Sequence, residues 1–135
     1  MKTNFAFLVM AAVGLAACAM PFQAPSDVAH IRLDRADSPL VSVEKAWLER
    51  KHGRLFVTGY VLKRHETEDT TGTHLDVALF DATGRELRRS IEHFEPRQIP
   101  RRYRRPDYAT YRVVLDPLPP GTARIEVRAH EGNHS

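Results

Sequence analysis

The chain predicts a small, all-β antiparallel sandwich of about seven strands. Three observations carry this. Apolar residues recur with a period of two in short runs. Turn-forming residues interrupt those runs at nearly regular intervals. No run of useful length has the 3.6-residue spacing of an amphipathic helix, and such a sequence buries its core between packed sheets.

The strands follow in order. Ile31 and Leu33 alternate with His30, Arg32 and Asp34. Val41, Val43 and Trp47 lead the second run, which ends at the turn Lys51-His52-Gly53, where glycine can take a positive φ. Leu55–Leu62 is apolar on both faces, as a central strand requires. Leu75, Val77 and Leu79 alternate with Asp76 and Ala78. Asp81-Ala82-Thr83-Gly84 places Asp first and Gly fourth in a type I turn. Leu87, Arg89, Ile91 and His93 share a face of the fifth run, with His93 expected to half-bury at a strand edge as a structural histidine. Tyr111, Val113 and Leu115 form the sixth, Pro117–Gly121 turns the chain, and Ala123, Ile125 and Val127 form the seventh. Trp47 and Tyr60 are expected to fill the core.

The N-terminal segment is different in kind. Lys2 precedes an almost wholly apolar run, Phe5–Ala17, too short for a bilayer-spanning helix, which needs ~20 residues. Such a run suits the hydrophobic region of a secretory leader. It ends in Leu15-Ala16-Ala17-Cys18, and Cys18 is the only cysteine. A lone thiol has no partner for a disulfide in an oxidising compartment.

Leu15-Ala16-Ala17-Cys18 resembles the lipobox of bacterial lipoproteins. The resemblance implies that residues 1–17 are a signal peptide and that Cys18 receives a diacylglycerol. The new amino terminus is then acylated as well. Ala19 rather than Asp after the cysteine implies, in a two-membrane bacterium, the periplasmic face of the outer membrane. Residues 18–27, with two prolines, read as a tether, and residues 28–135 as the folded domain. The nine residues Ala19–Asp27 that follow the cysteine reach at most ~30 Å, so the domain stays near the bilayer.

The order of turns resembles immunoglobulin-like and fibronectin-III-like modules. The run Val77-Ala78-Leu79-Phe80-Asp81 before a glycine turn resembles the FxLYD type of envelope β-domain, with Val77 in place of the first Phe and Phe80 in place of the Tyr. These resemblances imply a fold and no active site.

The net charge of +3 is too small to argue for nucleic-acid binding. No serine sits in a glycine elbow, no glycine loop is arranged to cradle phosphate, and the sequence points to a non-enzymatic module without a cofactor.

The segment Pro96–Pro106 carries five arginines and three prolines. Proline keeps it extended, and mutual repulsion splays the cations outward. Arg97, Arg101, Arg102, Tyr103, Arg104 and Arg105 are therefore candidates for recognising an anionic envelope partner: a phosphorylated lipid or glycan, a carboxylate, or an acidic protein. The alternative reading is a periplasmic copper or zinc carrier or sensor using His65 and His74 in one loop and His130 and His134 near the chain end. Their spacing matches no standard ligand framework.

Overall fold

The computed structural model describes residues 23–66, 68–101 and 107–132. Seven strands run in chain order: β1 (Arg32–Ala36), β2 (Val41–Lys51), β3 (Arg54–Lys63), β4 (Thr73–Asp81), β5 (Glu86–Glu92), β6 (Ala109–Val114) and β7 (Thr122–Glu131). They form a sandwich of a four-stranded sheet, β1-β7-β4-β5, and a three-stranded sheet, β2-β3-β6. The core lies between the sheets. Val57, Val61 and Val113 from one meet Leu75, Val77, Leu79, Ile125 and Val127 from the other. Full burial of each such side chain contributes about 1.5–3 kcal/mol.

The expected turns form as the residues dictate. His52 and Gly53 both have positive φ, 52° and 75°, the geometry of a type I′ hairpin whose twist matches the flanking strands. Asp81 closes the β4–β5 turn: its carbonyl accepts from the Gly84 amide at 3.1 Å, and its carboxylate accepts from Thr83 and Arg85.

Four features differ from the sequence reading. The sheet is not wholly antiparallel, because β1 pairs with β7 in parallel. Trp47 and Tyr60 are half-buried and lie outside the core cluster. Tyr60 has the outward phase of β3, whose Val57 and Val61 point inward, and Trp47 is turned out by a register shift in the β2–β3 pairing between Val43 and Lys45. One extra residue there inverts the side-chain phase of β2. Val41 and Val43 point inward before it, and Leu48, not Trp47, points inward after it.

The third difference is β5. Its register sets Arg88, Ser90 and Glu92 opposite Leu79, Val77 and Leu75, so its polar residues line the core side and Ile91, 52% exposed, faces out. Arg88 uses that orientation to reach the other sheet, donating to the Leu115 and Pro117 carbonyls at 2.8 and 2.9 Å. Fourth, His93 is exposed rather than half-buried, and the neighbouring Phe94 is the buried residue.

Candidate functional site

Strand directions sort the functional residues to two ends of the sandwich. At one end lie the β2–β3 hairpin tip and the β4–β5 turn, together with the β6–β7 turn and the entry of the chain. Ala24 and Val28 pack against the core there, and Asp27 pairs with Arg50 beside the hairpin tip at 2.6 Å. The residues from Arg50 to Arg54 are all exposed, and three of them are Arg or Lys. At the far end lie the β1–β2 turn, the loop after β3, the start of β4, the segment after β5 and the end of β7. β3 has 10 residues. At about 3.3 Å per residue it separates the two ends by roughly 30 Å.

Thr70 organises the far end and is fully buried. Its hydroxyl donates to the Arg97 carbonyl at 2.7 Å and accepts from the Ile99 amide at 2.9 Å. Its own amide donates to Gln98 Oε1 at 3.1 Å. These bonds clamp the segment after β5 onto the loop before β4 and carry Ile99 into the core. Arg97 is exposed and donates to the Thr71 carbonyl at 3.0 Å. Arg101 is exposed and lines a shallow hollow with Lys63, Glu66, Glu68, Asp69 and Gln98. Of the predicted anion-binding residues, Arg102, Tyr103, Arg104 and Arg105 lie outside the described residues, as do Cys18 and His134.

A second group sits on the outer face of the four-stranded sheet near the same end. β4 and β7 pair so that His74 stands directly opposite His130. Asp76 follows on the same face, since alternate residues share a side. The two imidazoles are 5.1 Å apart, tilted by 48°. His74 Nε2 lies 3.3 Å from Asp76 Oδ1, and Arg89 approaches the other carboxylate oxygen at 3.9 Å. Each of the three residues offers one donor atom, all within 4.8 Å of one another. His74 and Asp76 are buried at 6% and 3% exposure, although both lie on a face that alternation alone assigns to solvent.

The sequence points to His74 and His130 but sets His74 in a loop with His65 and His130 near the chain end with His134. The structure unites the first pair and leaves His65 exposed in the loop after β3. Asp76 was missed. The signal that finds it is the β4–β7 pairing, which no local pattern discloses.

Trp47, Tyr60 and Tyr108 line a hollow on the outer face of the three-stranded sheet, with His93 at its border. The Tyr60 and Tyr108 rings are 5.6 Å apart. Among the described serines, Ser38 bonds the backbone of Val41 and Ser42 bonds Glu44, so both hydroxyls serve the local chain.

No family model matches this chain, and neither a curated protein nor a solved structure resembles it closely enough to count as a relative.

Proposed function

We propose that this protein is a lipid-anchored, non-enzymatic module of a bacterial envelope that presents its far end to an anionic partner. The observation that carries the reading is the polarity of the sandwich. The chain reaches the domain at the end where Asp27 pairs with Arg50, while Arg97 and Arg101 stand at the other. A lipid on Cys18 holds the first end beside the bilayer. Ala24 already packs on the domain, which shortens the free tether and limits tilt. Exposed Arg50, Lys51 and Arg54 then face the headgroups, where each cation contributes ~1 kcal/mol near an anionic surface.

Arg97 and Arg101 face away from that bilayer, on the periplasmic side of an outer membrane. Their partner is therefore an anionic component of the envelope beyond the anchoring membrane rather than the lipid beneath it. Guanidinium forks suit carboxylate and phosphate in that partner. The immunoglobulin-like character expected from the turns is consistent with hairpins β2–β3 and β4–β5 joined across the two sheets.

Photo-crosslinking in intact cells tests the orientation. A photoreactive residue at Lys51 should capture lipid, and one at Gln98 should capture a non-lipid partner. Charge reversal at Arg97 and Arg101 should abolish the second adduct while the domain stays folded. Lipid adducts at Gln98 with none at Lys51 would invert the orientation and refute the proposal.

A further inference from the structure

We infer that His74, Asp76 and His130 form a binding site for a divalent transition-metal ion of the zinc and copper(II) class. The inference does not depend on the lipid anchor.

The placement comes from the sheet itself. A directly opposed cross-strand pair holds its Cβ atoms about 4.5–5.5 Å apart, and the register fixes His74 and His130 in that relation. The two side chains therefore converge without help from a loop. Asp76, two residues along β4, adds a carboxylate on the same side. A four-coordinate ion bonds imidazole nitrogen at about 2.0–2.1 Å and carboxylate oxygen at about 2.0–2.2 Å, which sets its ligand atoms ~3.4 Å apart. The three donors already lie within 4.8 Å of one another. Small side-chain rotations close the difference, and the backbone need not move.

Burial points the same way. A His–Asp pair needs one imidazole, yet a second strand supplies another against the first. Along β7 and β1 the outward-facing residues are instead long cations and carboxylates: Arg124 pairs with Asp34, and Arg128 with Glu126. Along β7 the outer face thus changes from a partly exposed row of ion pairs to a more deeply buried cluster of two imidazoles and one carboxylate. Arg89 lies 3.9 Å from Asp76 and is 45% exposed, so it can swing into solvent when an ion takes over the carboxylate's charge.

The donor set selects the ion. Two nitrogens and one oxygen suit zinc, copper(II) or nickel(II). Copper(I) prefers sulfur, and the described residues contain neither cysteine nor methionine. Three protein ligands leave a coordination position for water or a fourth donor. His130 is only half-buried, which leaves the ion a route from solvent.

The untagged full-length protein in detergent, titrated with zinc sulfate by calorimetry, tests the site. One ion per chain is expected, and cobalt(II) should show the visible absorption of a four-coordinate centre. His74→Ala and His130→Ala should each weaken zinc by more than the roughly 10–100-fold that losing an outer-shell partner costs. His65→Ala and His134→Ala should bind as the parent does. His130→Asn, a milder change on a half-buried residue, serves if His130→Ala fails to fold, with circular dichroism as the check. Absence of stoichiometric zinc binding by the parent would overturn the site. So would unchanged affinity in a folded His130 variant, or binding lost in the His65 or His134 variant.

Discussion

Tyr111 occupies the space that a side chain at Gly59 would need. The two residues are cross-strand partners in β6 and β3, and the Tyr111 hydroxyl donates to the Lys45 carbonyl at 2.6 Å. A Cβ built on Gly59 would stand 2.6 Å from Tyr111 Cζ and closer still to its hydroxyl and to the Lys45 carbonyl. Lys45 adjoins the register shift in β2, so this contact ties the bulge to the centre of the three-stranded sheet. Burial pushes the Tyr111 hydroxyl above its ordinary pKa, which keeps it a donor throughout the physiological range.

Gly59→Ala should therefore destabilise the domain by about 1–3 kcal/mol, the range for overpacking a filled site. Tyr111→Phe removes the hydroxyl and should cost about 1–2 kcal/mol through the lost bond. Urea unfolding of the two single variants and the double variant measures both costs and their coupling. Gly59→Ala at parental stability would mean the strands separate freely here.

The bulge makes neighbouring residues unequal. Leu48 is 1% exposed in the core, whereas Trp47 is half-buried outside it. Leu48→Ala should cost about 2–5 kcal/mol. Trp47→Ala should cost clearly less, despite deleting the larger side chain. The reverse order in denaturant midpoints would place Trp47 inside.

Thr70→Val keeps the shape but removes both hydroxyl bonds, to the Ile99 amide and the Arg97 carbonyl. Each backbone group left unsatisfied and buried costs about 1–3 kcal/mol. Hydrogen exchange at the Ile99 amide should accelerate well beyond that of the β4 and β7 amides. Equal protection in parent and variant would deny the clamp.

Asp81 supplies a pH signature. The Thr83 hydroxyl and the Arg85 amide hold its carboxyl below the ordinary 3.8. A carboxylate depressed in the folded state stabilises that state above the unfolded pKa, and the contribution is lost as pH falls through the folded value. The stability difference between parent and Asp81→Asn should be constant above about pH 5 and shrink below about pH 4. Urea midpoints across that range measure it, and a difference independent of pH would contradict the turn's electrostatics. Asp69, depressed by Thr71 in the same manner, should behave alike.

The strands were legible because their period of two and their Gly, Asp and Pro turns are local properties. The hairpin at His52-Gly53 and the turn at Asp81-Gly84 follow from single residues. What escaped was set by pairing between distant segments. The bulge at Glu44 has no local marker, and it reverses Trp47 and Leu48. The β5 face was misread because Leu87 and Ile91 suggest an inward stripe, while the register with β4 turns Arg88 and Ser90 inward. Parallel pairing of β1 with β7 is equally non-local. The histidines were visible as chemistry, yet only the β4–β7 register decides that His74 meets His130 and that Asp76 joins them.

The proposed lipid anchor on the N-terminal side of the domain is tested most directly by intact-mass spectrometry of the full-length protein purified in detergent from bacteria that express it. The predicted result is a chain beginning at Cys18 with the added mass of a diacylglycerol and an amide-linked acyl group. A mature chain carrying an unmodified Cys18 thiol would contradict it.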